Sequence, residues 1–127
     1  MGINKILSVD DDPMIRKLIK TILEASSYEV MQASNGTEAI DLLDSSECQK
    51  NEFSCIILDV QMPDMSGFDL LTRLQLHNKT SDIPVIMLTS QSSTEEVMTG
   101  YSGGAQYYIT KPFTREQLLF GVDMVTK

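Results

Sequence analysis

The chain has 127 residues, enough for one domain that buries roughly two-thirds of its unfolded surface without disulfides or a structural metal. Its formal net charge of −8 and scattered Lys and Arg argue against a nucleic-acid surface and favour divalent cations and basic partners. Two cysteines, Cys48 and Cys55, make neither a zinc site nor a disulfide framework, which fits free thiols in a reducing cytoplasm.

No apolar run approaches the ~20 residues that a membrane span needs, and Met1-Gly2-Ile3-Asn4 leads straight into a strand without a signal-peptide pattern. Gly2 follows Met1, but Ile6-Leu7 stands where a myristoylation motif wants Ser or Thr. Residues 5–9 are a short β-type run followed at once by Asp10-Asp11-Asp12-Pro13. Proline suits a first helical turn, and Ile15, Leu18, Ile19, Ile22 and Leu23 recur at helical spacing. Residues 28–33 alternate as a second strand, Asn35-Gly36 turns, and Ala39, Ile40, Leu42 and Leu43 mark a second helix. The polar stretch 44–52 reads as a solvated loop. Residues 55–59 are apolar until Asp59, as in a strand buried on both faces whose C-terminal tip reaches solvent. Pro63 and Gly67 break the chain before a third helix with Phe68, Leu71 and Leu74. Residues 84–89 form a fourth strand ending in Thr89. Ser93 and Glu96 make a capping-box pattern for a fourth helix through about Tyr101, which Gly103-Gly104 stops. Residues 105–109 are a fifth strand, followed by Lys111-Pro112. Thr114 and Gln117 repeat the capping pattern before a last helix with Leu118, Leu119, Val122 and Val125.

Five strands alternating with five helices predict a parallel sheet covered on both faces, a three-layer α/β/α sandwich, with residues 1–127 as a single domain. Asp10 and Asp11, Asp59, Thr89 and Lys111 then stand at the C-terminal ends of strands one, three, four and five. In a parallel sheet those ends share one edge, where open α/β folds place their ligands. Three carboxylates meeting there repel, at about 4 kcal/mol per pair at ~4 Å and an effective dielectric of ~20. A cation resolves this, and hard oxygen ligands without His or thiolate point to magnesium or a similar ion such as manganese. A cation, an ammonium, a hydroxyl and a carboxylate free to attack together suit phosphoryl transfer onto Asp59.

Four stretches carry a family resemblance: Ile6-Leu7-Ser8-Val9-Asp10-Asp11-Asp12-Pro13, Leu58-Asp59-Val60-Gln61-Met62-Pro63-Asp64-Met65-Ser66-Gly67, Val85 to Thr89-Ser90, and Tyr108-Ile109-Thr110-Lys111-Pro112-Phe113. In this order and spacing they resemble the signatures of the response-regulator receiver domain of two-component signalling, similar to the chemotaxis regulators. The resemblance implies a flavodoxin-like sheet in order 2-1-3-4-5 and Asp59 as phosphoacceptor. It implies magnesium at Asp10, Asp11, Asp59 and the backbone carbonyl of Gln61, with Thr89 and Lys111 contacting the phosphoryl group. Tyr108 matches the switch aromatic that follows Thr89. The donor would be a sensor histidine kinase or a phosphotransfer domain. The reader would be a downstream protein or output domain at the face of the fourth helix, fifth strand and last helix. That face lacks the dense Lys, Arg and Asp pattern of one dimerising class, so a monomer or weak dimer is expected, without direct nucleic-acid or membrane contact. Activity beyond receiver-type self-phosphorylation and dephosphorylation is not expected.

Two rival readings keep different chemistry in view. Asp10-x-Asp12 with Thr89 and Lys111 also resembles the haloacid-dehalogenase phosphatases, with Asp10 as nucleophile, but no acid pair follows Lys111 at a strand end. A degenerate receiver that docks without phosphate is disfavoured by the complete five-residue set. Other residues read as scaffold: Asp12 as an acid at a helix N-terminus, Asp64 as a turn residue, His77 as a solvated surface histidine, Tyr101 and Tyr107 as packing residues, and the methionines, Met62 and Met87 included, as core filler or turn residues. Gln61 and Gln91 stand two positions after the acceptor and the threonine, where the resemblance places control of phosphate lifetime.

Overall fold

The computed structural model describes residues 4–90 and 104–126. Five parallel strands, β1 (Lys5–Val9), β2 (Glu29–Ala33), β3 (Cys55–Asp59), β4 (Val85–Thr89) and β5 (Tyr107–Thr110), form one sheet in the order 2-1-3-4-5. The described helices are α1 (Pro13–Ala25), α2 (Gly36–Asp44), α3 (Gly67–Leu76) and α4 (Arg115–Thr126). The last is the fifth of the predicted helices. The fourth, with its Ser93/Glu96 pattern, and Tyr101, Gly103 and Gln91 lie outside the described residues. The expected flavodoxin-like sandwich and strand order are therefore present.

Side-chain alternation along the strands builds two apolar layers. Leu7, Val9, Ile56, Leu58, Val85 and Met87 face Ala39 and Leu43 of α2 and Leu70, Leu71 and Leu74 of α3. Ile6, Cys55, Ile57, Ile86 and Leu88 face Ile19, Ile22 and Leu23 of α1 and Leu118 and Val122 of α4. Because β3 and β4 lie inside the sheet and bury every residue, their apolar runs need no polar alternation.

The ends of the elements follow local chemistry. Asp12 caps α1, its carboxylate accepting from Met14 N at 2.9 Å, with Pro13 at the first helical position. Thr114 and Gln117 form the predicted reciprocal box: Gln117 N donates to Thr114 Oγ1 at 3.1 Å, and Thr114 N to Gln117 Oε1 at 2.8 Å. α1 ends in a Schellman turn, with Ser27 N donating to Glu24 O and Tyr28 N to Leu23 O. Ser27 occupies the left-handed position there, at φ 71°. Since glycine takes that conformation without a Cβ penalty, Ser27→Gly is expected to stabilise the protein by about 0.5–1 kcal/mol. Urea denaturation giving no gain would contradict this account of the turn.

Three expectations need correction. β5 begins two residues later than predicted because Gln106 replaces a strand rung with its side chain: Val85 N donates to Gln106 Oε1, and Gln106 N to Val85 O, both at 2.9 Å. The 44–52 stretch is not simply solvated, since Cys48 packs into the α2/α3 layer and Lys79 Nζ donates to Leu43 O and Ser45 O at the end of α2. His77 is not a free surface histidine. Lys79 N donates to its Nδ1 at 3.1 Å, which leaves the proton on Nε2 to be donated to Asp44 Oδ1 at 2.9 Å. Met62 and Met87 do pack in or against the core, whereas Met14 and Met124 are exposed.

Candidate functional site

All the predicted acids lie at the carboxyl edge of the sheet. Asp10 and Asp11 follow β1, Asp59 ends β3, Thr89 ends β4, and Lys111 follows β5. Each of Asp10, Asp11 and Asp59 offers one carboxylate oxygen, and the three oxygens lie within 4.8 Å of one another. Lys111 Nζ stands 3.0 Å from Asp10 Oδ2 and 3.3 Å from Asp59 Oδ2. Thr89 is buried, and its backbone carbonyl accepts from Lys111 N at 2.6 Å, which ties the ends of β4 and β5 together. The Lys111–Pro112 peptide is cis.

The two buried aspartates differ in access. Asp10 is fully buried, and both its oxygens are engaged: Asp12 N donates to Oδ1 at 2.9 Å, and Lys111 to Oδ2. Its backbone carbonyl accepts from Arg16 Nη1 at 2.7 Å, a contact from α1 that no sequence pattern announced. Asp59 lines an open cleft of about 420 Å³ together with Asp11, Asp12, Gln61, Met62, Pro63, Ser90 and Lys111. Gln61 N donates to Asp59 Oδ1 at 3.3 Å.

Burial first, and then the charge of Asp10, push the Asp59 carboxyl up to about 6, against the opposing pull of Lys111 and the Gln61 amide. Burial alone would lower the Lys111 ammonium, but the hydrogen bond and charge of Asp10, followed by the charge of Asp59, outweigh it and raise its pKa. One ammonium faces three carboxylates, so the cluster lacks positive charge. Oxygen-only donors at this spacing fit a hard divalent cation such as magnesium or manganese.

Tyr108, in β5 beside Met87 of β4, is half-buried and packs against the α2/α3 layer. Asp12 keeps its place at a helix N-terminus while also lining the cleft. Asp64 does more than turn the chain. Its carboxylate accepts from Gly36 N, Thr37 N and Thr37 Oγ1, residues 28 and 27 positions away, so sequence spacing held no sign of the contact.

The family model for the response regulator receiver domain matches residues 6–123. This chain belongs to the response regulator receiver family. It is 40% identical over 124 residues to the transcriptional regulatory protein SrrA of Staphylococcus aureus, covering 98% of this chain and 48% of that protein. The receiver chain thus spans about half the length of the curated relatives it matches. Chemotaxis protein CheY4 of Vibrio cholerae superposes with a TM-score of 0.88 at 33% identity, over 98% of this receiver and 99% of that chain. A CheY-like response regulator receiver domain protein from Methanospirillum hungatei JF-1 superposes at 0.84 with 31% identity, over 97% and 93% of the two chains. Family membership removes the haloacid-dehalogenase reading, and Asp10, fully buried with Oδ1 taken by the Asp12 amide and Oδ2 by Lys111, is poorly placed as its nucleophile.

Proposed function

We propose that this receiver accepts a phosphoryl group on Asp59 from a sensor histidine kinase or a phosphotransfer domain, and that the phosphorylated form is read by a downstream protein or output domain. The observation that carries the reading is the meeting of Asp10, Asp11, Asp59 and Lys111 at one sheet edge, with Asp59 as the buried aspartate that opens on the cleft.

In the proposed reaction an Asp59 carboxylate oxygen attacks the phosphorus of the donor. The bond from phosphorus to the leaving atom breaks, the electron pair departs with the leaving group, and an aspartyl phosphate remains. Asp10, Asp11, Asp59 and the Gln61 carbonyl would hold magnesium or manganese, which supplies fixed positive charge beside the transferring phosphoryl oxygens. Lys111, released from its pairing with Asp59 as that oxygen is esterified, donates to the phosphoryl group from the other side. Thr89 offers its hydroxyl to the same group. The chain is a signalling phosphoacceptor, and the only turnover assigned to it is its own phosphorylation and dephosphorylation.

Incubation with a small acyl-phosphate donor, followed by mass spectrometry of the intact protein and its peptides, tests this directly. Label at Asp59 that requires magnesium and disappears with a chelator is the expected result. Label elsewhere, or none, would overturn the reading, and the second outcome would favour a phosphate-independent docking receiver.

The output follows from a population shift. Phosphate bound by Thr89 and Lys111 favours one packing of the segment after β4 and of Tyr108, and so alters the face of the fourth predicted helix, β5 and α4 that partners read. Only contacts stronger in one state move that balance, at about 1.4 kcal/mol per tenfold. Thr89→Ala is therefore expected to leave Asp59 labelled but to erase the phosphorylation-induced amide shifts of residues 107–110. Full shifts in that variant would show that the coupling takes another route.

We read residues 1–127 as one receiver domain in the cytoplasm, a monomer or weak dimer. The free, buried Cys48 and Cys55 fit that compartment. No helix among the described residues is long and apolar enough to cross a membrane. The name of the S. aureus relative, a transcriptional regulatory protein, fits an output coupled to transcription.

A further inference from the structure

The loop between β3 and α3 is fastened at both of its ends. At the acceptor end Gln61 N donates to Asp59 Oδ1. Gly67 N closes the loop by donating to Val60 O at 2.7 Å. At the far end the Asp64 carboxylate accepts from Gly36 N at 3.2 Å, from Thr37 N at 2.8 Å and from Thr37 Oγ1 at 2.6 Å. The Met65 side chain lies so close over Gly36 that a Cβ there would come within 2.5 Å of Met65 Cγ and Sδ.

A helix begins with four backbone N–H groups that its own turns cannot satisfy. In α2 Glu38 N is taken by the Asn35 side chain at 2.8 Å, and the helix's own bonds begin with Ala39 N donating to Asn35 O at 3.1 Å. Gly36 N and Thr37 N, in the first turn, are taken by Asp64 from the loop between β3 and α3. The Thr37 hydroxyl, aided by these amides, outweighs the opposing effect of burial and holds the Asp64 carboxyl down at about 2, so it accepts at any physiological pH. The helix and the loop therefore hold one another in place.

We propose that Asp64 is a positioning residue for the cation site: by capping α2 from the neighbouring loop, it holds the Gln61 carbonyl where the carboxylates of Asp10, Asp11 and Asp59 converge. This rests on reading those acids as the cation site. Only Met62 and Pro63 separate Gln61 from Asp64, and Pro63 within that short span restricts the backbone. Loss of the Asp64 anchor removes the loop's three hydrogen bonds to the start of α2.

Asn35 supplies the control, since it caps the same end of α2 by accepting from Glu38 N within its own helix. Manganese binding to the whole chain, followed by the electron paramagnetic resonance signal of the free ion, reads the site without phosphorylation. Asp64→Ala is expected to weaken manganese binding about tenfold, the lower end of what outer partners of metal ligands cost. Asp64→Asn, whose amide oxygen still accepts, should recover part of that loss. Asn35→Ala should bind manganese as the wild type does while losing stability in urea comparably to Asp64→Ala. Wild-type binding in Asp64→Ala, or equal weakening in Asn35→Ala, would overturn the proposal, the latter by reducing Asp64 to an ordinary helix cap. Manganese binding that depends on Asp64 in a protein that takes up no phosphate would sustain it while sinking the phosphoacceptor reading.

Discussion

Asp59→Asn is expected to abolish phosphate uptake and at the same time to give a more stable protein at neutral pH. The loss follows because an amide oxygen is a poor nucleophile and no neighbour can take over. Asp10 is fully buried with both oxygens engaged, and Asp11 sits on an exposed turn. Asp10→Asn should instead slow uptake by weakening the cation site, with label still mapping to Asp59.

The gain in stability follows from electrostatics. Burial and Asp10 push the Asp59 carboxyl up to about 6, whereas in an unfolded chain it titrates near ~3.9. The native state therefore holds this proton more tightly than the unfolded state does. Wild-type stability falls as pH rises through that window, and above it the ionised carboxylate carries the full penalty. Removing the charge should recover on the order of 2 kcal/mol at pH 7 in the presence of a chelator, and little near pH 4. Urea denaturation of both proteins at the two pH values measures the difference. Persistent labelling of Asp59→Asn, or a stability gain no larger at pH 7 than at pH 4, would refute this account of the site.

The second large effect is expected at Gly67. A Cβ built there lies 2.3 Å from Asp59 O and 2.8 Å from the Val60 Cα, both backbone atoms of the strand that carries the acceptor. Nothing can swing aside, so Gly67→Ala must push α3 away from β3 and break the bond from Gly67 N to Val60 O. A loss of about 3 kcal/mol or more is expected, at the upper end of overpacking costs, with slower phosphate uptake as the Asp59 end shifts. Gly36→Ala is the contrast. It meets the flexible Met65 side chain from Cγ outward and no backbone, so rotation about the Met65 side-chain bonds can relieve it at a cost of about 1 kcal/mol. Denaturation midpoints that rank the two variants in the reverse order would show that the strand-to-helix approach is not the constraint.

Much of this protein was legible from period and punctuation. Apolar runs such as Cys55-Ile56-Ile57-Leu58 announce strands buried on both faces, and the helical spacing of Ile19, Ile22 and Leu23 announces a helix with one buried face. Caps at Asp12 and at Thr114 with Gln117 mark helix starts, because a side-chain oxygen there satisfies amides only two or three residues ahead. The site acids could be named because a parallel sheet brings every strand's C-terminal end to one edge, whatever lies between the strands. Where a short-range rule governs a residue, or where topology multiplies one over the whole sheet, the order of residues alone carried the answer.

The tertiary structure alone decided the contacts between groups far apart in the chain. Asp64 looks like a turn residue until α2 lies beside it with two unsatisfied amides, 27 and 28 positions away. His77 looks like a surface histidine until Asp44 comes within reach of its Nε2, and Gln106 reads as part of a strand until its side chain replaces a backbone rung. The distances that distinguish Asp59, open to the cleft, from Asp10, closed off beneath it, belong to the same class. Such pairings depend on how helices settle on the sheet to within an ångström, and hydrogen bonds form or fail on that scale.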